Sequence, residues 1–298
     1  MKHLRQWANQ KIVDLQVWRA TRRAHRDRVL VVADHWDGSV QVFYHFLLGY
    51  FAPLAQWLRR TGATRIAVRD CGPMNVWFES LPDELDLQIV KPGVALHSIV
   101  GNHSRFHVVT GLDHPHRHKR KNLLAAIEAM RSLVSVDPVD SIPVLVVDRE
   151  TSDDFHSGPE SETEMSGARR RSVPNLAHVC NEGLDPATYR LVDMAQVAPS
   201  DQIAYASASR ILVAQHGAGL THMVWMPPGS TVIEIHPPLP AEAVDIFREL
   251  AKVLGHRYER IEQSDVHAPV DPHVLISAVK RALNETVTID PTIANLRP

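Results

Sequence analysis

The sequence predicts an α/β protein of two domains, each a parallel sheet layered with helices. Two observations predict it. Short apolar runs of strand length alternate along the chain with segments whose apolar residues recur at helical spacing. The length, 298 residues, suits two domains of about 150 residues each. Ser135-Val-Asp-Pro-Val-Asp-Ser141 reads as the linker, placing the domains at 1–136 and 137–298.

The first elements are a basic helical arm over residues 1–28 and a buried strand, Val29 to Ala33. That strand runs into the polar loop Asp34-His35-Trp36-Asp37-Gly38-Ser39. In open α/β sheets ligands bind at the carboxyl ends of strands, so Asp34 and Asp37 are candidate site residues. Residues 38–58 carry no Asp, Glu, Lys or Arg. Gln41, His45, Pro53 and Gln56 interrupt the stretch, and it reads as a helix over Val40 to Arg60 buried in protein rather than lipid. Strands follow at Arg65 to Arg69 and Leu87 to Val90 and apolar stretches at Ala95 to Val100 and Phe106 to Thr110, with helices over Asn75 to Ser80 and Lys121 to Leu133. The intervening histidines (97, 103, 107, 114, 116 and 118) lack accompanying cysteines and helical i, i+4 pairing, so no metal cluster is expected from them. Residues 114–121, HPHRHKRK, read instead as a solvated basic patch suited to an anionic acceptor or a membrane surface.

The second domain opens on the strand Ile142 to Val147, ending in Asp148-Arg149. A polar loop over 152–167 leads to Arg169-Arg170-Arg171 and Val173-Pro174-Asn175. A strand at Tyr189 to Val192 and a helix over Ser200 to Ser209, carrying Gln202, lead to the most informative stretch. There Ile211 to Ala214 form a strand, His216-Gly217-Ala218-Gly219-Leu220-Thr221 a glycine turn, and a short helix opens near Thr221. Pro227-Pro228-Gly229 then returns the chain to a strand, Val232 to Ile235, with Glu234 inside it. Small residues let the backbone turn tightly and approach a ligand. A helix N-terminus presents unpaired N–H groups and positive potential to an anion. Guanidinium groups of Arg149 and the 169–171 run match phosphate in bidentate fashion. Glu234 is placed to accept from ribose or sugar hydroxyls. A helix starting near Pro240 and Glu242 and ending at Gly255, a strand at Tyr258 to Ile261, and a helix from Pro272 to Asn284, free to pack back on the first domain, complete the chain.

The run HGAGLTHMVWMPPGSTVIEI resembles the C-terminal signature of the family 61 glycosyltransferases, with His222 where the family commonly has Asn. VFYHFLLGYFAPL is similar to the family's N-terminal segment, an aromatic–His pair followed by a helix with a late proline. Arg149, the arginines at 170 and 171, Asn175 and Gln202 fall where the family has an arginine after a strand, an arginine pair, an asparagine and a glutamine. The resemblance implies two facing Rossmann-like domains of the GT-B type in compact form. It implies inverting transfer of a sugar from a nucleoside-diphosphate sugar to a glycan, polysaccharide or lipid-linked hydroxyl, with no cofactor. His45 is then the first candidate for the general base, ahead of Asp37 and Asp34. His216 would orient the turn or touch phosphate. No Asp-x-Asp follows a strand, so no metal is expected at the diphosphate.

Composition narrows the field further. A hydrophobic content of 44% and charged content of 22% describe an ordinary globular chain, and a net charge of −2 gives no case for nucleic acid. Two cysteines, Cys71 and Cys180, make neither a disulfide framework nor a metal set. The N-terminus lacks a signal-peptide core, pointing to the cytoplasm, with the inner membrane face as an option. Two other classes remain. HGAG also resembles the oxyanion turn of ester hydrolases, but no GxSxG elbow accompanies it. A nucleotide-sugar-binding module without turnover would carry the same second domain.

Overall fold

The computed structural model describes residues 28–34, 39–91, 105–114, 118–149, 170–239 and 245–287. The basic arm, Asp37, the apolar stretch 95–100, the polar loop 152–167, Arg169, and Pro240 with Glu242 lie outside these residues. By packing, the chain divides into two units. One takes residues up to 41 with 45–114 and 128–134; the other takes 42–44, 115–127 and 135 onward.

In the first unit β1 (Val29–Asp34), β2 (Arg65–Arg69), β3 (Asp86–Val90) and β4 (Arg105–Thr110) form a parallel sheet in the order β3-β2-β1-β4. The order reverses at β1, which has β2 on one side and β4 on the other. The helix expected over Val40 to Arg60 is three pieces: α1 (Phe43–Phe46), a π-helical turn (Leu47–Phe51) and α2 (Ala52–Thr61). The Ala52 N–H bonds the Leu47 carbonyl, five residues back. Pro53 supplies the reason: it has no N–H, and in a regular helix its ring would press on the carbonyl of Gly49, so a wider turn precedes it. The buried rings of Phe46, Tyr50 and Phe51 pack on Trp77 and Phe78 of α3 (Asn75–Glu79). No helix among the described residues is long and apolar enough to cross a membrane.

The helix expected over Lys121 to Leu133 is α4 (Arg120–Arg131). The preceding histidines depart from the solvated patch: His114 and His118 are buried, and the Tyr44 hydroxyl lies 3.3 Å from His118 Nε2. Of the described residues in that run, Lys119, Arg120 and Lys121 are exposed.

In the second unit β5 (Ile142–Asp148), β6 (Tyr189–Asp193), β7 (Ser209–Gln215), β8 (Thr231–His236) and β9 (Arg257–Glu262) run parallel in the order β6-β5-β7-β8-β9. Its helices are α5 (Leu176–Gly183), α6 (Pro199–Ser207), a 3-10 helix (Ala218–Trp225), α7 (Ile246–Leu254) and α8 (Pro272–Val287). Val144, Val146, Ile211, Val213, Ile233 and Ile235 form one core with Leu176 and Val179 of α5 and Leu275 and Val279 of α8. The last helix therefore packs on its own unit's sheet. Leu145, Val147, Leu212, Ala214 and Val232 alternate with those positions and are equally buried, with α6 and the 3-10 helix packed on β5 and β7. Both faces being covered explains why these strands read as unbroken apolar runs.

Candidate functional site

β5 and β7 are neighbours although β6 comes between them in the chain, so the strand order reverses between them. At such a point the connections leave in opposite directions, opening a crevice beyond the carboxyl ends of the strands. Arg149 follows β5 and His216-Gly217 follow β7. The Arg149 Nη2 donates to the His216 carbonyl at 2.9 Å, and the Arg171 Nη1 donates to the same oxygen at 3.0 Å. Gly217 has φ 142°, and a Cβ there would stand 1.9 Å from Arg149 Nη2. The 3-10 helix starts immediately, at Ala218, three residues earlier and more tightly wound than the helix expected near Thr221. Gly217, Ala218 and Gly219 are part-exposed, and among the described residues their N–H groups donate to no partner.

Two guanidinium groups thus meet three free amides. Burial, and after it repulsion from Arg171 and Arg170, pushes Arg149 down to about 10, with Asp193 and Asp148 pulling less strongly the other way. Burial and Arg170 push Arg171 down to about 10 as well. Among the described residues no carboxylate pairs with either guanidinium. Asp193 and Asp148 act on Arg149, and Glu234 on Arg171, less strongly than burial and the neighbouring arginines, and clustered positive charge of this kind is the electrostatic form of an anion site. Arg171 is the arginine of the 169–171 run that reaches the turn; part-buried Arg170 adds charge beside it.

Other expected site residues are engaged elsewhere. Glu234 is fully buried; one oxygen accepts from His216 Nδ1 and the other from the Tyr258 hydroxyl at 2.5 Å. It is therefore not placed to accept from a sugar, and its work is to fix the His216 ring. Gln202 is buried, with its amide on the carbonyls of Met194 and Val197 and its oxygen 2.9 Å from His222 Nε2. Asn175 bonds Val270 through both amide atoms, 2.8 Å to its carbonyl and 2.9 Å from its N–H. Leu220 and Thr221 are fully buried, so their side chains face inward behind the turn. His222 Nδ1 lies 2.9 Å from the Gly219 carbonyl and its ring stacks on Phe43 at 4.6 Å. Burial pushes His222 down to about 4, against the pull of that carbonyl.

A second polar centre stands at the reversal point of the first sheet. His45, in α1, has Nδ1 3.1 Å from Asp113 Oδ2; the carboxylate is inaccessible and the ring partly open. Asp113 lies just beyond β4, held by Gly111 N–H on the Asp34 carbonyl (3.0 Å) and Leu112 N–H on that of Leu48 (2.7 Å). Asp113 was not among the expected residues. Its signal was a carboxylate just past a strand end, obscured by the histidine run that follows. Asp34 is exposed at the end of β1, and Asp37 lies outside the described residues.

One group among the described residues has the make-up of a metal centre, which the histidine spacings did not reveal. His216, Glu234 and His236 each bring one ligand atom within 4.8 Å of the other two, and all three are buried.

Comparison with known proteins places these features in context. The family model described as Glycosyltransferase 61 matches residues 43–233, a span that includes His45, Asp113, Arg149, Arg171 and the glycine turn. Over 72 residues the chain is 33% identical to the EGF domain-specific O-linked N-acetylglucosamine transferase of Drosophila melanogaster. That stretch is 24% of this chain and 13% of the relative's length.

Proposed function

Since the chain belongs to the glycosyltransferase 61 family, we propose that it transfers a sugar from a nucleoside-diphosphate sugar to a hydroxyl of a glycan or lipid-linked acceptor. The observation that carries this reading is the pair of guanidinium groups, in no direct ion pair among the described residues, converging on His216 at the Gly217 turn. A diphosphate is the ligand such a corner fits: Arg149, Arg171 and the amides of Gly217 to Gly219 offset its charge as it leaves. Those groups make a metal unnecessary for that step. Residues 137–298 are then the donor domain and 1–136 the acceptor domain, two Rossmann-like lobes of a compact GT-B arrangement.

His45 is the proposed base. Its Nδ1 lies 3.1 Å from the buried Asp113 carboxylate, which would hold the ring in the tautomer whose Nε2 takes a proton. The acceptor oxygen bonds to the anomeric carbon as the bond to the diphosphate breaks. The bonding pair leaves with the diphosphate, and the hydroxyl proton passes to His45 Nε2. One displacement inverts the anomeric centre. Asp34 and Asp37 are the alternatives for this role. The cytoplasmic side of a membrane suits a lipid-linked acceptor, with the exposed residues Lys119 to Lys121 as an anionic contact.

Calorimetry with a panel of nucleoside-diphosphate sugars tests the reading. The N-acetylglucosamine donor comes first, because the Drosophila relative is named for that sugar. Binding should weaken roughly 10- to 100-fold in Arg149→Ala and in Arg171→Ala, the loss expected for a hydrogen bond to a charged group. Equal affinity in both variants refutes the diphosphate role. Transfer should persist in buffer freed of magnesium and manganese, and a strict need for either contradicts the metal-free step.

A further inference from the structure

The buried group at the ends of β7 and β8 carries an inference independent of sugar transfer. β7 and β8 pair in parallel with Ala214 opposite Glu234 and Gln215 opposite Ile235. Extended by one residue, the register brings His216 opposite His236. Side chains alternate along a strand, so Glu234 and His236 share a face, and His216 lies on it too. On this face His236 is 1% exposed, and among the described residues neither of its ring nitrogens has a hydrogen-bond partner. Its ring stands edge-on to that of His216, centroids 5.1 Å apart. A buried imidazole with both nitrogens unsatisfied is costly, and its lone pair points to something that completes it.

We propose that His216, Glu234 and His236 form a zinc site. Two imidazoles and one carboxylate are a three-ligand zinc set with one position left for water. Nitrogen donors select zinc over magnesium or calcium, which take oxygen ligands. Tyr258, donating to the second oxygen of Glu234 at 2.5 Å, orients the carboxylate as outer hydrogen bonds do around metal ligands. Arg149 and Arg171 reach the carbonyl of His216 and not its ring, so they do not compete for the ligand atoms. Their charge opposes every cation alike, and the strength of the nitrogen–zinc bonds decides the selection. The ion would brace the residue whose carbonyl gathers the two arginines.

The test uses full-length, untagged protein purified without chelator. Elemental analysis should find close to one zinc per chain. After chelator treatment and dialysis, zinc at a hundred times its dissociation constant should raise the melting midpoint by roughly 5–10 °C. His236→Phe keeps the ring volume and removes the ligand, so zinc should no longer raise its midpoint; Glu234→Gln should weaken the response at least tenfold. Absence of zinc together with an unmoved midpoint in the wild type overturns the proposal, as does an equal zinc response in His236→Phe. Loss of the zinc site would leave the donor reading standing, because nucleoside-diphosphate-sugar binding is measured separately by calorimetry, here on the zinc-free chain.

Discussion

Gly217 is held to glycine twice over. Its φ of 142° lies where a side chain is strained, and a methyl group would fall 1.9 Å from Arg149 Nη2. Gly217→Ala should therefore expel that guanidinium from the turn. The expected outcome is at least a tenfold loss of nucleoside-diphosphate affinity by calorimetry, with a stability loss of about 1–2 kcal/mol by denaturant melting. The reverse ranking, a large stability loss with unchanged affinity, would make the turn a purely structural corner. At the base, Asp113→Asn leaves the shape intact but lets the amide favour the wrong ring tautomer of His45. Transfer should fall about 10²- to 10⁴-fold with donor affinity unchanged, and His45→Gln should fall at least as far. Arg149, His216 and Gly217 were legible because a strand end followed by a glycine turn is a local pattern. The bonds that Glu234, Gln202 and Asn175 make, to Tyr258, Met194 and Val270, were not legible because they follow from tertiary packing. Asp113 was missed for the same reason: it meets His45 only when β4 pairs with β1.

Among the elements, the periodicities held where both faces of a strand or one stripe of a helix are apolar. Phe247, Leu250, Ala251 and Leu254 of α7, at helical spacing, form one buried stripe. What spacing could not show was winding. The expected single helix over Val40 to Arg60 breaks at the proline-driven π turn, and the short helix after the glycine turn is 3-10. Nor could it show which helices touch. α5 approaches α8 so closely that a Cβ on Gly183 would stand 2.5 Å from Ile276 Cδ1 and Cγ1. Gly183→Val should overpack this contact and cost about 1–3 kcal/mol, read as a lower denaturation midpoint with unchanged m-value. Ile276→Ala in the same background opens space for the added methyls and should recover part of the loss. An additive double mutant would remove the contact as the cause.

At the scale of the molecule, alternation of strand and helix was enough to announce two parallel sheets, but not their strand order. Order decides function here, since both polar centres sit where it reverses, at β1/β4 and at β5/β7. The second sheet's corner is also where acid should undo the fold. His222 is buried and neutral, pushed by burial down to about 4, while in the unfolded chain it titrates at its ordinary 6.5. Burial lowers His236 and His256 as well. A base with a depressed folded value takes up its proton first in the unfolded state. Its contribution to stability is therefore intact above pH 6.5 and is lost as the pH falls toward 4. For His222 alone the integrated loss is roughly 3 kcal/mol. His222→Asn keeps a polar side chain between Gly219 and Gln202 at a position where the family signature commonly carries Asn. That variant should flatten the fall in unfolding free energy between pH 6.5 and 4, measured by denaturant titration, while changing little at pH 8. The slope that survives in the variant comes from other groups, the lowered His107, His236 and His256 among them, and an unchanged slope would mean that His222 is already protonated in the fold, donating to the Gly219 carbonyl and the Gln202 oxygen together.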